Sequence, residues 1–202
     1  LLLANGAKVN AKDKDERTAL HLAIGYDQSN IAKLLINKRV NLEAKNSDGM
    51  TALHAAVYNR NANIVQLLIN KKVNLEAIDN SGNTALLWAI GKGHVDIIQS
   101  LLDSGADRNT PNQNGITPLF VATQQGNTEI IEALVKDGAK LDASNNKGHT
   151  ALHVAAYKGH EKTVNLLVNK RVNLEAKDSN GMTALHLAIL EGHEAIVKLL
   201  LA

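Results

Sequence analysis

Cysteine is absent from the 202-residue sequence, which excludes disulfides, thiol chemistry and thiolate-bound metals. Aromatic residues make up only 2% of the chain, so its core must be built from Leu, Ile, Val and Ala rather than around large rings. No apolar run approaches the roughly 20 residues that cross a bilayer. We therefore expect a chain without a membrane partner, whose core consists of many small aliphatic side chains.

The chain also lacks an excess of positive or negative charge. Lysine and arginine together number 22 against 20 aspartates and glutamates, which gives a formal net charge of +2. A field this weak does not attract a polyanion over a distance, so we predict no nucleic-acid partner. The hydrophobic fraction of 45% and the charged fraction of 21% are ordinary for a folded globular chain.

What the sequence does contain is a repeat. A threonine recurs every 33 residues without insertion, and it is followed in turn by TALHLA, TALHAA, TALLWA, TPLFVA, TALHVA and TALHLA. A glycine stands two residues before each threonine except the first, where Glu16 replaces it. The six threonines are Thr18, Thr51, Thr84, Thr117, Thr150 and Thr183. Such self-similarity predicts one structural unit per period.

Each period predicts two short helices. Threonine before an apolar stretch is a helix N-cap signal, and Pro118 fits the first helical position because no N–H is needed there. A second apolar pattern with helical spacing begins about a dozen residues later, as in 64–69. Helices of roughly 8 to 10 residues are marginal alone in water, so neighbouring pairs must stack.

The pattern resembles the ankyrin repeat, whose 33-residue unit carries a T-P-L-H-x-A motif, over essentially the whole chain. The resemblance implies an all-α ankyrin-repeat solenoid of stacked helix pairs with β-hairpin fingers, forming a single domain. The chain opens on Leu1 rather than methionine, and we expect it to be a piece of a longer protein. Its predicted boundaries are a partial repeat at 1–12 and repeats at 13–45, 46–78, 79–111, 112–144, 145–177 and 178–202.

Four residues depart from the glycines that the resemblance implies. Arg39, Lys72 and Arg171 stand after the second helix of their repeats, and Arg60 stands at the turn between two helices. We expect a left-handed backbone there, at a cost on the order of 1 kcal/mol each.

Two further expectations concern the motif histidines and the chain ends. By resemblance, each motif histidine bonds its threonine and nearby backbone; these are His21, His54, His153 and His186. Neither end carries an obvious polar capping repeat, so we expect Leu2, Leu3, Leu199 and Leu200 to be partly exposed.

No catalytic or metal site is predicted. Of the eight histidines, seven occupy recurring repeat positions, and only His149 stands outside the scheme, where we interpret it as a lone exposed side chain. No serine or threonine stands beside a base with an orienting acid, and no phosphate-binding loop is present. We therefore predict neither catalysis, nor a metal, nor a cofactor.

The aromatic residues carry the best functional hint. Tyr58 and Tyr157 lie seven residues after their threonines, and Tyr26 lies eight after its own. By resemblance these positions face the concave groove in which ankyrin stacks bind partners, although tyrosines there could instead cover a neighbouring helix. We assign Trp88 and Phe120 to the packing between repeats.

The groove positions and the variable finger residues together predict a partner-binding surface. It is mostly neutral, which favours hydrogen bonding over charge attraction. Its residues are Lys14, Asp15, Arg17, Tyr26, Tyr58, Asn59, Asn80, Asn83, Lys92, Gln124, Gln125, Tyr157 and Lys158.

These features predict a non-catalytic scaffold or adaptor, monomeric and intracellular, in the cytoplasm first, that binds another protein. The alternatives are the substrate-recruiting region of a larger enzyme, such as a secreted bacterial effector, and a designed binder derived from a consensus. Residues 37–54 and 169–186 agree at all positions but two, where Asn and Asp are exchanged, and we interpret this as a duplication.

Overall fold

The computed structural model describes residues 8–38 and 40–202 of the chain. They form two compact units, the first running to Asp107 and the second spanning Arg108–Ala202.

Two short helices fill each repeat, as the sequence predicts. The first unit contains α1 (Ala19–Gly25), α2 (Ser29–Ile36), α3 (Ala52–Tyr58), α4 (Ala62–Asn70), α5 (Ala85–Lys92) and α6 (Val95–Asp103). The second unit contains α7 (Pro118–Gln125), α8 (Thr128–Lys136), α9 (Ala151–Lys158), α10 (Glu161–Asn169), α11 (Ala184–Leu190) and α12 (Glu194–Leu201).

The recurring threonines start the first helix of each pair. All six have extended backbone at the N-cap position, so the chain turns sharply into the helix. In α5, for example, the Thr84 hydroxyl accepts a hydrogen bond from the backbone N–H of Leu87 at 3.3 Å. Pro118 opens α7, where its missing N–H costs nothing.

Within each unit, the first helix of a repeat packs on the first helix of the next repeat, and the second helix packs on the next second helix. In the first unit α3 packs between α1 and α5, and α4 packs between α2 and α6; in the second, α9 packs between α7 and α11. The core consists of fully buried aliphatic side chains, such as Leu53, Ile64 and Leu86 in the first unit and Leu119 and Ile131 in the second. The prediction of an all-α stack built on small aliphatic layers is confirmed within each unit.

The predicted left-handed residues are confirmed where the structure describes them. The φ angle is 58° at Lys72, 59° at Arg171 and 52° at Arg60, while Arg39 lies outside the described residues. Asp27, which sequence reasoning overlooked, shares this conformation with a φ of 53°. Each of these side chains stores roughly 1 kcal/mol of backbone strain that glycine would avoid.

The fingers between the repeats are tight turns rather than long hairpins. Strand pairing among the described residues is limited to two isolated antiparallel bridges, Lys12 with Thr18 and Ile78 with Thr84. At the C-terminal end, Leu199 and Leu200 are half-buried, as predicted, whereas Leu2 and Leu3 lie outside the described residues.

Candidate functional site

An acceptor side chain at the base of each finger sets the shape of the finger. In Asp79, Oδ1 accepts hydrogen bonds from the backbone N–H groups of Ser81 and Asn83, both at 2.8 Å. The same pair of bonds, to the residues two and four positions later, recurs in every repeat. The six acceptors are Asp13, Asn46, Asp79, Asn112, Asn145 and Asp178. These bonds pre-form the turn, so each finger presents its tip in a fixed position.

Neighbouring fingers of one unit are also tied to each other. A backbone N–H in one finger donates to a backbone carbonyl at the tip of the preceding finger at 2.9 to 3.0 Å. The bonded pairs are Ser47 to Asp15, Asn80 to Asp48, Asn146 to Asn114, and Ser179 to Lys147. Within each unit the fingers therefore form a connected polar edge.

The motif histidines link each helix start to the next finger. Nδ1 of His54 accepts from the backbone N–H of Thr51 at 3.3 Å and lies 2.9 Å from its hydroxyl, while Nε2 donates to the carbonyl of Asn83 at 3.0 Å. His21 and His153 make the same three contacts. These bonds require the neutral ring, and burial keeps it neutral by lowering the pKa of all three imidazoles. The predicted local brace is confirmed, and the bond across to the next repeat adds to it.

A cavity of about 800 Å³ lies between the fingers and the first helices of the first unit; we call it the first-unit cavity. Its lining combines finger residues with the exposed face of α1, α3 and α5. The lining residues are Asp15, Arg17, His21, Gly25, Asn46, Ser47, Asp48, Met50, Ala55, Tyr58, Asn59, Asp79, Asn80, Ser81 and Trp88.

An aromatic pair forms one wall of the first-unit cavity. The rings of Tyr58 and Trp88 meet edge to face, with centroids 5.5 Å apart and planes at 73°. The Lys92 ammonium lies over the Tyr58 ring, 4.2 Å from its centroid, and 5.9 Å from the Trp88 ring. Tyr58 remains 48% exposed, so the pair offers aromatic surface to an incoming molecule.

A buried carboxylate fixes the indole of this pair. Trp88 Nε1 donates to Oδ2 of Asp79 at 2.8 Å. Burial by itself raises the pKa of Asp79, but the N–H of Asn83 and the Trp88 indole outweigh it and hold the pKa below its usual value. Asp79 is therefore a carboxylate at neutral pH, and the charge-assisted bond orients the Trp88 ring.

The finger tips bring more negative than positive charge to this cavity. Arg17, the basic residue of its lining, is held by two carboxylates, with Nη2 lying 2.9 Å from both Asp13 and Asp15. Asp48 is exposed at the next finger tip. The first-unit cavity thus has a carboxylate-rich rim beside an aromatic wall.

The second unit contains a different cavity, of about 610 Å³, which we call the second-unit cavity. Most of its surface is apolar. Its lining residues are Phe120, Gln124, His149, His153, Val154, Tyr157, Lys158, Asp178, Asn180, Met182, Leu187 and Leu190.

The polar feature of the second-unit cavity is a histidine–aspartate pair. His149 Nε2 lies 3.2 Å from Oδ2 of the buried Asp178, and the His149 ring centroid lies 6.0 Å from that of His153. The backbone N–H of Met182 is the main cause that lowers the pKa of Asp178. The described lining holds no serine, threonine or cysteine to act as a nucleophile with this pair.

The structure divides the sequence-predicted residues between these places. Asp15, Arg17, Tyr58, Asn59 and Asn80 line the first-unit cavity. Gln124, Tyr157 and Lys158 line the second-unit cavity. Lys92 lies on the Tyr58 ring, and Asn83 donates a hydrogen bond to Asp79. The residues outside both described linings are Lys14, Tyr26 and Gln125.

The assignment of Phe120 and Trp88 to packing between repeats is confirmed, since Trp88 meets Tyr58 of the preceding repeat, but Trp88 also lines a cavity, which the sequence did not indicate. Phe120 is only 5% exposed. Trp88 is half-buried and lines the first-unit cavity. It stands four residues after the threonine of its repeat, and Tyr58 stands seven after its own. These two repeat positions are one helical turn apart and therefore lie on the same face of the first helix. The small Ala55 occupies the position of Trp88 in the preceding repeat and lines the same cavity.

The interpretation of His149 as a lone exposed side chain is wrong, since it is half-buried and paired with Asp178. Sequence reasoning missed Asp178 and Asp79 as well. Their 33-residue recurrence as Asp or Asn is visible in the sequence, but their partners are not.

In the described part of the chain, no group of three or more histidine or acidic side chains is arranged to bind a metal ion. Nor does any helix within residues 8–38 or 40–202 combine the length and the hydropathy needed to cross a membrane.

Comparison with known proteins gives one family match. A family model described as ankyrin repeats (3 copies) matches residues 1–79, 35–112, 72–145, 94–178 and 141–202. These overlapping matches extend from the first residue to the last. No curated protein matches the chain.

Proposed function

The chain belongs to the ankyrin repeat family, and we propose on this premise that it is a non-catalytic scaffold or adaptor that binds another protein. Ankyrin repeats are generally protein–protein interaction modules. Each unit has its own proposed contact surface, which consists of the cavity of that unit and the finger tips beside it. A partner would lie across the fingers and insert side chains toward the first helices.

The observation that carries this proposal is the exposed but oriented aromatic pair. Tyr58 leaves half of its surface free, yet Trp88, Asp79 and Lys92 hold its surroundings in place. A pre-oriented ring loses little conformational entropy when it is covered, which is why tyrosine and tryptophan are frequent anchors of protein interfaces. The polar finger edge supplies hydrogen-bonding groups around this anchor.

Binding to a purified partner tests the proposal. The chain is used to capture proteins from a cell extract, and each captured protein is then purified and its affinity measured by calorimetry. We expect Tyr58→Ala to weaken binding by about 2 kcal/mol while the fold is retained. The matched control is Leu34→Ala, which shortens an exposed apolar residue of the same unit outside the cavity lining. Equal affinities for the wild type and Tyr58→Ala would contradict the proposed surface.

A larger enzyme could use the same surface to recruit its substrates. Any sequence that flanks this region would separate the two functions, because a kinase, protease or ligase signature there would identify the region as a recruiting module.

We also propose that the chain acts as a monomer inside the cell, in the cytoplasm. Imaging of the tagged protein tests the location, and sedimentation of the chain at micromolar concentration tests the monomer.

A further inference from the structure

An ammonium group lies on the aromatic wall of the first-unit cavity without any polar partner. The Lys92 Nζ is 4.2 Å from the centroid of the Tyr58 ring. No hydrogen bond or ion pair joins this ammonium to any residue that the structure describes. The negative faces of the rings therefore hold a cation by themselves.

The charges around the rings also favour a cation. Asp15, Asp48 and Asp79 line the first-unit cavity, against a single basic residue, Arg17. Arg17 is already neutralised by its contacts with Asp13 and Asp15. An incoming cation would meet the exposed carboxylate of Asp48, and the positive charge that opposes it is the Lys92 ammonium on the Tyr58 ring.

We propose that the first-unit cavity binds a basic side chain, arginine in preference to lysine, presented by the partner polypeptide. This inference rests on the proposed protein-binding function and names the chemistry of the partner. The bound side chain takes the place of the Lys92 ammonium on the Tyr58–Trp88 pair. Arginine is preferred because its planar guanidinium stacks on aromatic faces and can also donate to a carboxylate such as Asp48.

Lys92 acts in this proposal as an internal competitor. It occupies the ring face in the unbound chain and must move before a partner cation can settle there. An exposed cation–π contact is weak, so its loss changes the affinity by roughly two- to five-fold. Removal of Lys92 should therefore strengthen binding of a basic ligand, which is the opposite of what removal of a contact residue does.

Trp88 provides the readout, because it is the single tryptophan of the chain and lies in the site. The probes are four short capped peptides, identical except for a central arginine, lysine, norleucine or glutamate. Each is titrated into the whole chain while Trp88 fluorescence is followed. We expect the arginine peptide to bind about five-fold or more tightly than the norleucine peptide, with lysine between them and glutamate weakest.

Variants of three residues sharpen the test. Lys92→Ala is expected to tighten binding of the arginine peptide about two- to five-fold. Its matched control is Lys71→Ala, which removes an exposed lysine of the same unit outside the cavity lining and should change the affinity little. Tyr58→Leu and Asp48→Asn are each expected to weaken the arginine peptide, and circular dichroism verifies that each variant is folded.

The outcomes separate this inference from the proposed function. Norleucine binding as tightly as arginine would overturn the preference for a basic side chain while leaving a protein-binding cavity. Weaker binding to Lys92→Ala would overturn the competitor role, since Lys92 would then be a contact residue. If Trp88 responds to none of the four peptides, the inference fails, and the affinity of Tyr58→Ala for a captured partner still decides the proposed function.

Discussion

Residues 37–54 and 169–186 have the same sequence except for two exchanges, and these exchanges place a carboxylate differently in the two units. In the first unit the finger base is Asn46 and the tip is Asp48; in the second the base is Asp178 and the tip is Asn180. Both base side chains accept two backbone N–H groups, at 3.1 and 2.8 Å for Asn46 and at 2.8 Å twice for Asp178. The turn is thus the same, while the charge is exposed in one unit and buried in the other.

The comparison shows that the shape of the finger turn does not depend on which of its two positions has the carboxylate. Asparagine and aspartate serve equally as the acceptor at the base, so the choice between them is free to serve another purpose. In the second unit the buried Asp178 binds His149, which leaves an apolar cavity. In the first unit the exposed Asp48 adds to the negative rim of the first-unit cavity.

The largest effect is expected from truncating the aromatic residue of each cavity wall. Phe120→Ala should lower the free energy of unfolding by about 3–5 kcal/mol, because Phe120 is buried and its loss leaves a void. Trp88→Ala should cost less stability than Phe120→Ala, because Trp88 is only half-buried. Urea unfolding of both variants measures this difference. Equal losses would mean that the packing of Trp88 contributes as much stability as that of the buried Phe120.

A smaller effect, on binding, is expected at the two tyrosines. Tyr58→Ala and Tyr157→Ala should each reduce partner affinity by about 2 kcal/mol, since the two residues are 48% and 47% exposed and line different cavities. Calorimetry with a purified partner at two salt concentrations measures both effects.

Salt should weaken the contribution of Tyr58 more than that of Tyr157, because the first-unit cavity has the charged rim. A loss of stability of several kcal/mol without a change in affinity would instead make the tyrosines packing residues.

The repeat period and the capping threonines predict the helices well because each of these signals acts locally. Thr84 caps its helix through a residue three positions away, and Lys72 has the left-handed backbone that its place after the helix requires. The two cavities depend on residues distant in sequence. Nothing in the sequence near Trp88 indicates that Tyr58, thirty positions earlier, will meet its ring.

The cavity position of Trp88 and the pairing of His149 escaped the sequence analysis for the same reason. Their partners, Asp79 and Asp178, are finger-base residues that would exist for turn formation alone. When one side chain both forms a turn and pairs with a ring, the sequence pattern indicates only the turn, because the turn recurs in every repeat. The recurrence of these acids near a polar ring is a signal that could have identified the pairs.

Acid should destabilise the chain before any of its carboxylates titrate. Burial holds the pKa of His21, His54 and His153 below 6.5, so the unfolded chain takes up protons near that pH while the folded chain resists them. The stabilisation is complete above about pH 6.5 and declines as the pH falls through the lower folded pKa values. Urea unfolding at pH 7.5 and 5.5 should show this loss.

His54→Gln should reduce this pH dependence, because glutamine can keep the bond back to the Thr51 backbone without a titrating ring. The matched control is His186→Gln, which changes the same motif position at an exposed ring. Because the first unit has two of the buried rings, its amides should lose more hydrogen-exchange protection at pH 5.5 than those of the second unit. A uniform loss across both units would contradict this difference.

The smallest effect is expected at a position where the two units agree. Lys72 and Arg171 follow the second helix of their repeats with φ angles of 58° and 59°, and both side chains are exposed. Glycine relieves roughly 1–2 kcal/mol of left-handed strain, but it gives back about 0.4–1 kcal/mol through the greater freedom of the unfolded chain. Lys72→Gly and Arg171→Gly should therefore each stabilise the chain by up to about 1 kcal/mol.

The reverse substitution provides the control for this last prediction. Gly138 occupies the corresponding place in the second unit with a φ of 92°, and nothing lies within 4 Å of where its Cβ would be, so Gly138→Lys should destabilise the chain through backbone strain alone. Urea midpoints of the three variants test the sign in each unit. Opposite signs for Lys72→Gly and Arg171→Gly would reveal that one of these side chains has a stabilising partner. Equal gains would show that the left-handed residue after the second helix carries the same backbone strain in both units.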